Sequence, residues 1–415
     1  MSLNNCNIKK KLDKAKNNYA ANPGNSKEVH KFYDRIIRLS TNSSNTLFPR
    51  KEPKDNWSKY KTEEDYDSSL QNAVIFSKKF TEEQKKSIDV IIFNKTNADG
   101  VISGYIPWNY VTDGDTKQTE VKVLSTNPNY QKFGTAKEIL AIESYIIGKN
   151  VILVDLAFNK DTLEYIHNKA NFFVSIDNHS LEGVSTLPYV YITDSGPKEL
   201  PKHAACAAVW KFFYPDEKVS YVIQSIDSGD SKLYLKYLPD PGPINTAFAV
   251  KFVKNQSKSE YITNPITLFK EVHEFLTSGN GIQALNFLAV LGQVMDRYGE
   301  NMKLEIAPKA YPATFKAPDT SYKVYVLNYA QPGLQKRLGK YIASQNPDAD
   351  FSVLWFYNYR DKCFDITLST SHKPGYQVDI LKIAKSMGYS GGGFKDTSHF
   401  KYKGDVGDIS KIIIA

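Results

Sequence analysis

Between Asp89 and Ile176, short apolar runs alternate with stretches of helical spacing, and this alternation restricts the fold more than any other feature. Val90-Ile91-Ile92-Phe93 is the first run and ends in a polar turn; Val121 to Leu124, Val151 to Val154 and Phe172 to Ile176 follow. Runs this short suit strands, and strands covered on both faces read as continuous apolar segments rather than alternating ones. Lys137 to Ile147 and Lys160 to Asn168 carry helical periodicity between them. Strands alternating with helices specify a doubly wound α/β domain with a parallel sheet. Ligands of such sheets collect at the carboxyl ends of the strands, where the polar motifs of this chain fall.

The remainder divides by pattern. Residues 203 to 320 read as mostly helical, with Ile266 to Leu276 and Ile282 to Tyr298 the clearest helices. After Pro318 a second α/β pattern begins: strands at Tyr322 to Asn328, Asp350 to Tyr357 and Cys363 to Ser369, helices at Gln335 to Ser344 and Val378 to Met387. The run Gly391-Gly392-Gly393 follows the last helix. Short helices are expected at Lys9 to Asn18 and Glu28 to Leu39, and extended or loop chain from Thr41 to Tyr66. The expected organisation is a basic N-terminal extension (1–86), an α/β domain (87–230), a helical connector (231–320) and a smaller α/β domain (321–415). A chain of 415 residues suits two or three cores.

The net charge of +8 belongs to one end. Residues 1 to 60 hold 13 Lys/Arg and 5 Asp/Glu, and the other 355 residues balance. That segment is either a solvated arm or a contact for nucleic acid or an acidic protein surface. The most apolar long stretch, Gly281 to Val294, is cut by Gln283, Asn286 and Gln293 and falls short of the roughly 20 apolar residues of a membrane helix. No secretory signal is visible in the first 30 residues. Cys6, Cys206 and Cys363 lie far apart, so neither a disulfide framework nor a cysteine-rich zinc site organises the fold. A soluble, intracellular protein is expected, with no membrane partner. A virion location stays open, because the Asn-, Lys- and Tyr-rich composition suggests an AT-rich genome such as that of a large DNA virus or a parasite.

Three strand ends carry carboxylates or imidazoles: Asn97-Ala98-Asp99-Gly100 with Ser103, then Val154-Asp155, then Asp177-Asn178-His179. Acidic and imidazole groups gathered at one sheet edge suit a pair of hard divalent ions, which at about 3.5–4 Å apart clamp a phosphoryl group and activate water. Taken singly, each of these aspartates caps a helix as readily as it binds metal.

In this order and at these spacings the motifs resemble the DHH phosphoesterase superfamily with its C-terminal associated domain, from about Asp89 to Phe400. The resemblance extends through the segment Pro201 to Pro215, Ile226-Asp227-Ser228-Gly229-Asp230 as the fourth acidic motif, and Gly391-Gly392-Gly393-Phe394 as the glycine signature. It implies Asp99, Asp155 and Asp227 (or Ser228, if the motif does not slip) as metal positions, and His179 as a substrate-contacting imidazole. It implies Asp177 beside them, and Gly391, Gly392, Gly393 and Ser103 as phosphate contacts, while Lys95 stands at a vacated metal position, where its ammonium would supply the positive charge. The chain departs from the family at Asn97, at Lys95 or Phe93, at Asn178, at Ser369 and at Phe394. Neutral or cationic groups thus stand where anionic oxygens hold hard cations. No metal, or a single Mn²⁺ or Mg²⁺, is expected. Three readings follow: a binding or structural protein with impaired catalysis, an active metal-dependent phosphoesterase acting on a nucleotide, oligonucleotide or phosphoanhydride, and a nucleotide sensor without turnover.

Overall fold

The structure, a computed structural model, describes residues 58–414 apart from 115–120, 127–141, 180–182, 194–201, 254–264, 278–280, 372–377, 388–391 and positions 232, 239, 331, 360 and 395. It divides into two compact units between Asp296 and Arg297.

The first unit begins with β1 (Ser58–Tyr60), α1 (Glu63–Ser69), α2 (Gln71–Ser77) and α3 (Glu82–Lys86). The elements then follow as β2 (Val90–Asn94), α4 (Ala98–Thr112), which had no helix reading in the sequence, β3 (Lys122–Thr126), β4 (Asn150–Val154), α5 (Lys160–Lys169) and β5 (Phe172–Asp177). Next come β6 (Val190–Ile192), α6 (Ala205–Phe213), α7 (Tyr221–Asp230), β7 (Leu233–Leu235), α8 (Pro241–Phe248), α9 (Pro265–Thr277) and α10 (Gly281–Ile306), within which the division falls. The main sheet has the order β3-β2-β4-β5-β6, parallel throughout. Strand residues alternate between two apolar clusters: Ile91, Phe93, Ile152, Val154, Val174 and Ile176 face one, and Val90, Ile92, Val151, Leu153 and Phe173 the other. Coverage on both faces explains why these strands read as unbroken apolar runs.

Residues 58–86, read from the sequence as part of an appended extension, are integral to this unit. β1 pairs in parallel with β7, and Tyr60, Tyr66, Leu70, Ala73 and Phe76 belong to the larger core cluster. Their polar spacing hid the aromatic anchors. Both helices expected before Leu39 lie outside the described residues, as does most of the one expected from Lys137 to Ile147. The strand β7 interrupts the stretch expected to be mostly helical, and the helix α1 lies where extended or loop chain was expected. Among the described residues no helix is long and apolar enough to cross a membrane.

Helix α4 lies against β2 so closely that a side chain at Gly100 has no room: a Cβ there would stand 2.1 Å from the Asn94 carbonyl oxygen. Gly100→Ala is therefore expected to destabilise the unit by ~1–3 kcal/mol or more, measured by urea unfolding, because backbone and not a flexible side chain must move.

The second unit carries β8 (Tyr311–Lys316), β9 (Ser321–Asn328), α11 (Pro332–Gln345), β10 (Phe351–Asn358), β11 (Cys363–Ser369), α12 (Ile380–Ser386), β12 (Gly392–Phe394), β13 (Thr397–Lys403) and β14 (Ile413–Ile414). Its sheet runs β12-β13-β11-β10-β9-β8-β14; β9 and β10 are parallel, joined through α11, and the other pairs are antiparallel. Val324, Val326, Val353, Phe364 and Ile366 pack with Ile380 of α12, while Leu327 and Leu354 pack with Leu338 and Ile342 of α11. The protein is thus α/β in both units, with a parallel sheet in one and a mixed sheet in the other. β8, β13 and β14 had no strand reading in the sequence, since their exposed faces break the apolar runs.

Candidate metal centre

The carboxyl ends of β2, β4 and β5 bring together Asn94, Asp155 and Asp177, with His179 two residues beyond β5. Ligand atoms of Asp155, Asp177 and His179 all lie within 4.8 Å of one another. Asp155, 1% exposed, sits just past β4 with φ 52°, a left-handed backbone that Asp tolerates better than most residues. Its Oδ2 accepts from Asn94 Nδ2 at 2.8 Å, and its Oδ1 has no partner. Asp177, 2% exposed, uses Oδ1 to accept from the Asn178 N–H at 2.7 Å and to meet His179 Nδ1 at 3.0 Å. Its Oδ2 is also buried without a partner. Two buried carboxylate oxygens left unpaired in one place are costly unless a cation or proton meets them.

Asp99 and Asp227 have a different use. Helix α6 starts at Ala204, which supplies no side-chain cap. Asp99 fills that role across the fold, accepting from the N–H of Ala205 at 3.0 Å and of Cys206 at 2.7 Å. Asp227, wholly buried in α7, takes the Ala204 N–H at 2.7 Å, the Tyr66 hydroxyl at 2.7 Å and His203 Nδ1 at 2.8 Å. Partial positive charge at a helix N-terminus favours carboxylates there, so α6 stands in for a cation toward both. Asn97 is likewise engaged as the N-cap of α4, its Oδ1 accepting from the Gly100 N–H at 2.6 Å.

The acids raise one another's pKa. Burial, followed by the charges of Asp99 and Asp177, pushes Asp155 well above the ordinary carboxylate range. Burial and then Asp230 push Asp99 up to about 7, against the pull of the α6 amides. Asp230 rises too, through lost hydration and then Asp227. The hydrogen bond to Asp177 raises His179. Burial and crowding that push carboxyl and imidazole pKa values upward mark a site that favours added positive charge. Two carboxylate oxygens and an imidazole fit Mn²⁺ or Mg²⁺.

Of the residues singled out in the sequence, the structure gathers Asp155, Asp177 and His179. Asp99 is adjacent electrostatically but spends its oxygens on α6, and Asp227, expected as a metal position, is enclosed by protein donors. Ser103, expected to contact phosphate, has no exposed surface and turns its hydroxyl to Asp99 at 3.3 Å. Lys95 follows β2 directly and is partly exposed. Gly392 and Gly393 form the edge strand β12 opposite His399 and Ser398, rather than a turn or helix start, and Gly391 lies outside the described residues. The sequence reading missed Asn94, although it is the first polar residue closing an apolar run. It quoted Asp230 within the fourth acidic motif but gave it no role; one helical turn beyond Asp227, its Oδ2 accepts from Asn178 Nδ2 at 2.9 Å.

No protein-family model matches the chain. Its sequence is similar to an uncharacterized protein of Acanthamoeba polyphaga mimivirus, 21% identical over 332 residues, covering 78% of this chain and 69% of the relative. Among solved structures it is similar to exonuclease RecJ bound to manganese, with TM-score 0.44 and 12% identity over 81% of this chain and 90% of that one. A pGpG-specific phosphodiesterase, PggH, of Vibrio cholerae gives TM-score 0.41 and 11% identity over 78% of this chain and 95% of that one. CDC45 from Entamoeba histolytica gives TM-score 0.39 and 12% identity over 85% of this chain and 98% of that one.

Proposed function

We propose that the protein is a divergent phosphoesterase of DHH type that keeps one divalent-cation site, binds a phosphorylated ligand such as a nucleotide there, and turns it over poorly. The observation that carries this reading is the pair of unpartnered buried oxygens, Asp155 Oδ1 and Asp177 Oδ2, beside His179. The order of motifs in the sequence supports the family; the diversion of Asp99 and Asp227 to helix α6 supports one ion instead of two. Asp155, Asp177 and His179 would hold the ion, which supplies a positive charge to a phosphoryl oxygen. Asn94 holds Asp155 in place, and the rim residue Asp230 holds the Asn178 amide. The basic residues 1–60 supply a contact for nucleic acid or an acidic protein.

Calorimetry on chelator-stripped protein is expected to show one Mn²⁺ per chain with micromolar affinity, lost in Asp155→Ala. Asn94→Ala weakens it by ~10–100-fold, as expected when a residue orienting a ligand is removed. Absence of binding at millimolar Mn²⁺ overturns the reading.

A second reading rests on His179, whose side chain is 42% exposed while Asp177 orients it. That geometry suits proton donation to a leaving group. It predicts Mn²⁺-dependent hydrolysis of an activated phosphodiester, lost in His179→Ala and in Asp155→Ala. Hydrolysis untouched by Asp155→Ala rules it out.

A further inference from the structure

Ser69, the last residue of α1, places its Oγ 2.8 Å from His203 Nε2. The opposite ring nitrogen, Nδ1, lies 2.8 Å from Asp227 Oδ2. His203 is 4% exposed and Asp227 is fully buried, whereas Ser69 reaches the surface. Asp227 is fixed by two further donors, Tyr66 O–H and Ala204 N–H, so it cannot swing away from the ring. Because Nδ1 faces a carboxylate oxygen, it carries the ring proton of the neutral imidazole. Nε2 is then left as the acceptor facing the Ser69 hydroxyl. Ser69 Oγ donates to the Tyr66 carbonyl at 2.5 Å, and rotation about its Cβ–Oγ bond turns the hydroxyl hydrogen from that oxygen to Nε2.

A nucleophile of this kind requires a donor for the oxyanion it creates. Tyr60 is 8% exposed, and its hydroxyl is buried beside Ser69. Burial pushes its pKa up to about 12 against the pull of a hydrogen bond with Ser69, so at neutral pH it keeps its O–H directly beside the nucleophile. Its ring lies 6.4 Å from that of His203.

We infer that Ser69, His203 and Asp227 form a second, nucleophilic site that accepts acyl groups from small carboxylic esters, with Tyr60 donating to the oxyanion. Ser69 Oγ bonds to the ester carbonyl carbon as its proton passes to His203 Nε2. The carbon–oxygen ester bond then breaks, and the departing alkoxide carries off the bonding pair and takes that proton. Water releases the acyl group by the same steps in reverse. None of these four residues is among those that would hold the cation.

The test uses the full chain and a fluorophosphonate probe, in which Ser69 Oγ displaces fluoride from phosphorus. Peptide mapping is expected to find the label on Ser69. Tyr60→Phe slows labelling by ~10²–10³-fold, the cost of one oxyanion donor, and His203→Gln slows it at least as much. No label on Ser69, or a rate indifferent to His203→Gln, overturns the inference. Because His203→Gln also disturbs a buried contact, a second comparison leaves it in place. Ser69→Cys is expected to alkylate with iodoacetamide at least ~10-fold faster at neutral pH than Ser68→Cys, one residue away and exposed, since an adjacent imidazole favours the thiolate. Equal or slower alkylation at position 69 overturns it too.

Discussion

Asp227→Ala is expected to lower the unfolding free energy by ~3–5 kcal/mol, the usual cost of leaving the partners of a buried, hydrogen-bonded charge unmet. Three donors would lose their acceptor at once: the Tyr66 hydroxyl, His203 Nδ1 and the Ala204 N–H. Tyr66 and Ala204 have no exposed surface, so water cannot replace the lost oxygens without opening the core. Denaturant unfolding of metal-free protein measures the effect. Asp230→Ala, at the exposed rim, serves as the contrast, expected within ~0.5 kcal/mol of the parent. If Asp227 were a metal ligand waiting for its ion, removing it would relieve repulsion and stabilise the apo protein. The two roles predict opposite signs.

Metal-free protein is expected to lose stability as pH rises from about 5 to about 7.5, on the order of several kcal/mol in total. Asp99 keeps its proton in the fold up to about 7, while the unfolded chain releases it in the ordinary carboxylate range. Folding therefore takes up protons between those values, and stability falls with rising pH across that window. Asp155, raised still further by burial, extends the trend upward. His179 acts in the same direction: the stability from its raised pKa is complete below the ordinary imidazole range and is lost as pH climbs through the raised value. Saturating Mn²⁺ replaces those protons with fixed positive charge, so the slope flattens and the ion's stabilisation grows with pH. Thermal unfolding across this range, with and without Mn²⁺, measures both effects. A metal-free protein whose stability is level or rising over that range contradicts the assignment.

Much of the architecture was legible because burial on both faces leaves a plain trace. Val90 to Phe93, Val151 to Val154 and Phe172 to Ile176 could hardly be anything but central strands, and Asp155 and Asp177 fall at their ends as the sheet requires. The N-terminal docking of residues 58–86 was illegible, since it depends on Tyr60, Tyr66 and Phe76 dispersed among charged residues. Side-chain allegiance was illegible as well. Asp99 and Asp155 look alike in sequence, and only the position of α6 makes one a cap and leaves the other with a free oxygen. Asp227 and Asp230 are neighbours on one face of α7, and their place along it decides which is enclosed: Asp227 lies in the buried run, and Asp230 is the last residue of the helix, at the rim.

The seating of α6 on two acids locks them out of service to a cation. An anionic group placed at position 97 by Asn97→Asp adds one charged oxygen to a place where Asp99 and Asp227 are already committed to backbone amides. Freeing them strips the helix of its caps before any gain in cation binding arrives, so no single substitution moves these acids from one task to the other without a loss. Any change that recruits them for an ion must first give the start of α6 another anchor.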